Sequence, residues 1–115
     1  DVITSIPGIT KEKPASAMKV LLELSHLAPI YGGKTKLLFP TRRDFLLIDR
    51  EPDVFHTGHV HVNDVAWAYG TLLINSGAWQ LQTEYQKERG VIPTPGKVPV
   101  VNLKDLSVTI LDFAE

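Results

Sequence analysis

Apolar residues recur at helical spacing in only one stretch of this chain, and that limits what it can build. Between residues 15 and 27, Met18, Leu21 and Leu22 repeat at three and four, with Ala17, Val20 and Leu24 widening the stripe. Lys19 and Glu23 stand four apart on the other side. The spacing predicts an amphipathic helix of about three turns with one face turned to a core. Thr10-Lys11-Glu12-Lys13-Pro14 reads as its entry, with Pro14 near the first helical position and Pro29 as its stop.

The rest is short β-rich runs cut by turn residues. Phe45-Leu46-Leu47-Ile48 reads as a buried strand, and Val54-Phe55 opens another that runs into a histidine-rich segment. The runs 65–69 and 71–75, split by Gly70, predict a hairpin. Residues 80–87 are polar around Tyr85 and read as a strand or an irregular connection. Residues 90–99 hold three prolines and two glycines and read as a loop. Val98 to Val101, broken by Pro99, reads as an edge strand at best, and Leu106-Ser107-Val108-Thr109-Ile110 as a half-buried strand. Pro7-Gly8, Tyr31-Gly32-Gly33-Lys34, and the stretches 40–44 and 49–53 supply turns. One helix with five or six strands predicts the α/β class, as part of an α+β sandwich. One helix covers one sheet face, so the other face calls for more chain or a partner.

Composition removes several functions. A chain of 115 residues makes one small domain. Lys+Arg 12 against Asp+Glu 13 leaves a net charge of −1, so no bulk positive field holds a polyanion. The absence of cysteine excludes disulfides, thiolate nucleophiles and Cys-ligated zinc, and it fits a reducing, cytoplasmic setting. Apolar runs of at most five residues are far short of the ~20 that span a bilayer. The opening Asp1-Val2-Ile3-Thr4 has no Met and no signal-peptide pattern, and reads as the interior of a longer protein.

Chemistry concentrates at His56, His59 and His61, three of the four histidines within six positions. Neutral imidazole is the commonest side-chain metal ligand and the usual base near pH 7. Residues two apart in extended chain project the same way, about 6.5–7 Å apart. That suits one ligand for each of two metals lying ~3.5–4 Å apart. Gly58 is expected to take the unusual torsions that end the strand and aim the rings. The plain alternative is a polar loop with chance histidines.

Gly58-His59-Val60-His61, after Pro52-Asp53-Val54-Phe55, resembles the last metal motif of calcineurin-like metallophosphoesterases. The longer strings are narrower. They are His56-Thr57-Gly58-His59-Val60-His61-Val62-Asn63, His26-Leu27-Ala28-Pro29-Ile30-Tyr31-Gly32-Gly33 and Ile74-Asn75-Ser76-Gly77-Ala78-Trp79-Gln80. With Gln82-Thr83-Glu84-Tyr85-Gln86-Lys87 and the proline-rich 92–100 segment, they resemble the small subunit of archaeal family-D DNA polymerases along nearly the whole chain.

That resemblance implies a fold, a partner and an activity. The fold would be the C-terminal part of a calcineurin-like phosphoesterase β-sandwich with a flanking helix, covering residues 1–115. The activity would be a 3′–5′ exonuclease acting on DNA 3′ ends. The partners would be the large polymerase subunit and the rest of the small subunit, with no membrane. The cofactors would be two divalent metal ions, commonly manganese, with iron or zinc as alternatives. His59 and His61 match the metal-ligand positions, one toward each ion. His56 matches a family position but not the ligand motif, and either packs or supports the substrate side.

The resemblance also implies ligands that this chain lacks: an Asp-x-His, a Gly-Asp, a Gly-Asn-His-Asp/Glu and an isolated His that would stand just before Asp1. Two imidazoles cannot fill two metal spheres, so the segment alone is expected to hydrolyse nothing. His26, at the helix end, is expected to be structural. Arg42-Arg43 reads as a solvated turn before a phosphate contact, and Trp67, Tyr69 and Trp79 as core or interface before stacking platforms. Two other functions stay open. One is a non-catalytic scaffold that docks the large subunit; the other is a phosphoesterase acting on phosphoproteins or small phosphodiesters.

Overall fold

The computed structural model describes residues 2–30 and 42–114. The expected turn at Tyr31-Gly32-Gly33-Lys34, the end of the 26–33 string, Pro40 and the terminal Glu115 lie outside the described residues. The described residues form a mixed α+β fold of three helices and five strands. The helices are α1 (Val2–Ser5), α2 (Pro14–Glu23) and α3 (Glu84–Glu88). The strands are β1 (Val54–Thr57), β2 (Asn63–Ala68), β3 (Thr71–Ser76), β4 (Lys97–Val101) and β5 (Val108–Asp112).

Strand β3 is the centre. β1 pairs with it in parallel, with His56 opposite Ile74, and β2 pairs antiparallel, with Val65 opposite Ile74. Leu72, Leu73 and Ile74 are buried at the middle of the sheet, between β1 and β2, with α2 on one face and β4 against part of the other. The β2–β3 turn is Tyr69-Gly70, with φ of +54° and +76°. Two consecutive left-handed residues make the type I′ turn whose twist matches a hairpin. Tyr69 also donates a hydrogen bond to Glu23 at the end of α2, so the hairpin tip is tied to the helix.

On one sheet face, Ala15, Met18 and Leu22 of α2 pack with Leu73 and Ala68, and Phe55 and Ala66 close the edge. Full burial of a side chain such as Leu73 contributes roughly 1.5–3 kcal/mol. The helix starts without a local side-chain cap. Its orphan Ala15 N–H donates instead to Asp64 Oδ2 of β2 at 2.9 Å, where the carboxylate also meets the positive end of the helix dipole.

The helix stops at Glu23, earlier than the apolar spacing predicts. Ser25 adopts φ +51°, His26 N–H reaches Leu21 C=O at 3.1 Å, and Ser25 N–H reaches Leu22 C=O at 3.0 Å. This pair of bonds is the Schellman ending, which closes the helix before Pro29 has any effect. Residues 45–48 are not a buried strand. Only a His26–Leu47 bridge forms, and Phe45 and Leu47 are exposed. The run is held by Leu27 N–H to Leu46 C=O and Ile48 N–H to Ser25 C=O, both 2.8 Å, so it lines the helix end and not a sheet.

Residues 84–88 form a helix where the polarity suggested a strand or connection. β4 and β5 make a separate two-stranded ribbon, and β5 is mostly exposed where alternation predicted half-burial. Among the described residues no helix packs on the second sheet face, which carries Val54, His56, Val65 and Trp67, and Trp67 is 54% exposed. Only the β4 side closes on part of it. Trp67, Tyr69 and Trp79 are all exposed, so none of them is core within this chain.

Candidate functional site

The histidine loop, residues 58–62, joins the end of β1 to the start of β2. Its conformation is set by one buried side chain, Asn75 of β3, which has no exposed surface. Asn75 Nδ2 donates to Val60 C=O at 2.7 Å and to Val62 C=O at 2.6 Å. Its Oδ1 accepts from the Thr57 hydroxyl at 3.0 Å. A loop without ladder partners must satisfy its buried carbonyls somewhere, and one amide satisfies two of them here. The valines follow their carbonyls inward: Val60 and Val62 are buried. His59 is left exposed and His61 half-buried. On the other side, Thr94 N–H donates to His61 C=O at 2.9 Å, and the Thr94 hydroxyl accepts from Asn63 N–H at 2.5 Å.

The left-handed residue of the loop is not Gly58. Gly58 has no positive φ, and a Cβ added there would meet nothing. His59 takes that role, at φ +69°. Histidine is among the side chains enriched in this region, but a Cβ there still costs on the order of 1 kcal/mol. The glycine that the loop does require is Gly77, at φ +72°, whose missing Cβ would stand 3.0 Å from Asn63 N.

His61 Nδ1 lies 3.0 Å from Gln86 Nε2 of α3. Gln86 is also the third residue of a capping box, in which its N–H reaches Thr83 Oγ1 at 3.2 Å and its Oε1 accepts from Thr83 N–H at 3.0 Å. Beside it, the Arg89 guanidinium sits 3.7 Å from the Tyr85 ring centroid, a cation–π stack on the exposed side of α3.

His56 stands apart from this cluster. It lines a cleft of about 370 Å³ with Val54, Ile74, Ser76, Val98, Pro99, Val101 and Leu103, between the sheet and the ribbon. It is exposed on the cleft side of β1, with apolar neighbours around it. His26 is structural: its Nδ1 accepts from Ala28 N–H at 3.0 Å, and its Nε2 meets Asp44 Oδ2 at 2.7 Å. The imidazole, with Leu46 N–H, holds the Asp44 carboxyl below the usual aspartate range. Arg42 and Arg43 are exposed, and Arg43 pairs with Asp49 at 3.7 Å.

For a divalent metal, His59 and His61 fit in kind: imidazole suits iron and zinc, while manganese asks for oxygen donors beside it. Among the described residues of this chain they fall short in number. Among the described residues, no group of three His, Asp or Glu gathers to hold an ion. Asp64, the nearest carboxylate in sequence, is occupied as the cap of α2. Asn75 was not singled out from the sequence, and Gln86 was read only as part of a polar stretch with Gln80, Gln82 and Tyr85, although both left signals. A polar residue inside a β-rich apolar run marks a buried amide, and Thr83-x-x-Gln86 is the spacing of a capping box.

Comparison with known proteins adds the wider context. No protein-family model matches the chain. The chain is 47% identical over 115 residues to the DNA polymerase II small subunit of Pyrococcus furiosus, covering 99% of this chain and 19% of that protein. It is 43% identical over 100 residues to the DNA polymerase II small subunit of Archaeoglobus fulgidus, covering 87% and 20%. It is 40% identical over 116 residues to the protein of that name from Halobacterium salinarum, covering 99% and 23%. The chain thus spans about a fifth of the length of these curated relatives.

Proposed function

With kinship to a segment of the archaeal DNA polymerase II small subunits as the premise, we propose that this chain contributes part of a metal-dependent 3′–5′ exonuclease site to such a subunit. The exonuclease would serve proofreading beside a large polymerase subunit, acting on DNA 3′ ends in the cytoplasm. The supporting observation is the histidine loop itself. Its two valines and two carbonyls are locked inward by Asn75, while His59 and His61 are left on the outer side as imidazole donors. A loop of this build spends its buried contacts on orientation, which is what a ligand-bearing loop needs.

Two divalent ions, manganese by the resemblance and iron or zinc by the imidazole donors, would supply Lewis acidity and a nucleophilic water for phosphodiester hydrolysis. In this reading His59 and His61 each give one nitrogen to a different ion. Asn75 and Thr94 hold the backbone between them. The remaining donors come from polypeptide outside this chain, so residues 1–115 by themselves hydrolyse nothing.

A non-catalytic scaffold that docks the large subunit is the second reading. The exposed Trp79 and Phe113, with ring centroids 5.9 Å apart, and the exposed Leu81 and Ile92 favour it, because exposed apolar side chains of this size mark interaction surfaces. One assay separates the two. The full-length subunit is given single-stranded DNA with a labelled 3′ end and saturating manganese. The exonuclease reading expects digestion that His59→Ala and His61→Ala abolish. Digestion at undiminished rates by either variant would defeat the ligand assignment, and no digestion by the unaltered subunit would favour the scaffold. A small aryl phosphate cleaved in preference to DNA would point to a phosphoesterase of another class.

A further inference from the structure

The contact between α3 and His61 carries more information than its length. A backbone N–H can only donate, so the Gln86 side-chain atom facing Thr83 N–H at 3.0 Å is its oxygen. The other end of the amide, which meets His61 Nδ1 at 3.0 Å, is therefore the NH₂ group. An NH₂ group donates, so Nδ1 accepts. A neutral imidazole has one nitrogen with a free lone pair and one that carries the proton. With Nδ1 taken as acceptor, the proton stands on Nε2.

From this geometry we propose that Gln86 is a positioning residue that selects the His61 tautomer and thereby couples cation binding at His61 to the capping of α3. The inference rests on the reading of His61 as a metal ligand only for its consequence; the tautomer itself belongs to this chain alone. As folded, the one lone pair of His61 is occupied by Gln86. Coordination through Nε2 requires the proton to move to Nδ1 and the Gln86 amide to turn its oxygen toward it. That rotation sets an NH₂ group against Thr83 N–H and opens one of the two bonds of the capping box. Coordination through Nδ1 instead displaces Gln86 from the ring. The first route opens the capping box and the second leaves it whole, so a metal held through Nε2 is read out at Thr83 and Gln86, 22 and 25 residues along the chain, and one held through Nδ1 at the Gln86 amide alone.

The substitution Gln86→Glu makes the test sharp. Glutamate also completes a capping box, so the helix start is kept. One carboxylate oxygen accepts from Thr83 N–H and the other can only accept from the ring. His61 must then hold its proton on Nδ1, with Nε2 left as the lone-pair nitrogen. The experiment uses the metal-free full-length subunit labelled with ¹⁵N-histidine, and reads the two ring nitrogens of His61 from long-range proton–nitrogen correlations at pH above the imidazole range. The expected result is proton on Nε2 in the unaltered protein, proton on Nδ1 in Gln86→Glu, and a mixture in Gln86→Ala. Proton on Nδ1 in the unaltered protein, or the same tautomer in all three, overturns the proposal. Addition of Mn²⁺ then addresses the ligand reading separately. If the tautomers follow Gln86 but manganese leaves the His61 signals unchanged, the positioning inference stands and the metal assignment falls. If manganese does bind, Gln86→Glu is expected to bind it more tightly, on the order of tenfold, the range seen when partners of metal-ligating histidines are changed.

Discussion

Replacing Asn75 tests how the histidine loop is held. The side chain has no exposed surface and makes three hydrogen bonds, two of them as the donor to Val60 C=O and Val62 C=O at 2.7 and 2.6 Å. Asn75→Leu keeps the approximate volume and strands both carbonyls. Each buried acceptor left without a donor costs about 1–3 kcal/mol. The Thr57 hydroxyl adds little, since it also lies 3.2 Å from Met18 Sδ and can turn there. Water reaching the half-exposed rim of the loop relieves part of the loss. The sum is a destabilisation of about 3 kcal/mol, measured by equilibrium urea unfolding. Amide exchange at residues 58–62 should accelerate beyond that of the α2 core. Asn75→Asp keeps the bond from Thr57 but sets a carboxylate against two carbonyls. It is expected to cost at least as much at pH 7 and less as pH falls, because burial raises the new carboxyl's pKa and its neutral form is the one the site tolerates. An Asn75→Leu variant within about 0.5 kcal/mol of the parent would refute the view that this amide organises the loop.

Other consequences follow from single residues. His59→Gly should raise stability by roughly 0.5–1 kcal/mol, since glycine accepts φ +69° without a Cβ penalty, while His59→Ala should change it little; a loss on introducing glycine contradicts the left-handed assignment. Gly77→Ala should cost about 2 kcal/mol, from a Cβ placed 3.0 Å from Asn63 N at φ +72°, and a thermal melt of the variant checks it. The Asp44 carboxyl, held low by His26, should titrate below the ordinary aspartate value of ~3.9. Its contribution is therefore present above that value and lost as pH falls through the lower, folded one. Asp44→Asn should remove that acid limb, and a carbon NMR titration that places Asp44 at or above the ordinary value would contradict it.

Much of the architecture was legible because its signals are local. The apolar stripe announced α2, and Gly70 between two β-rich runs announced the hairpin, although Tyr69, counted in the first run, belongs to the turn. Where competing chemistry lay elsewhere in the chain, local reading failed. The end of α2 was misplaced because Ser25, not glycine, adopts the left-handed ending, and its two bonds outweigh the distant Pro29. Residues 45–48 look like core by composition, yet they serve His26 and Ser25 across a sequence gap that composition does not show. The α3 helix was hidden because it buries nothing and so has no apolar period, although its capping box was spelled out. At the site, the histidine pair was visible as a motif. What holds it was not, since Asn75 and Gln86 act from 13 and 25 residues away from Val62 and His61.

On the proposed reading, His59 and His61 supply donors to a bimetal centre completed elsewhere in the full-length polypeptide. Calorimetric titration of the metal-free full-length protein with manganese tests it most directly. Two bound ions are expected, with His59→Ala and His61→Ala each weakening binding at least tenfold. Unchanged affinity and stoichiometry in both variants would contradict it.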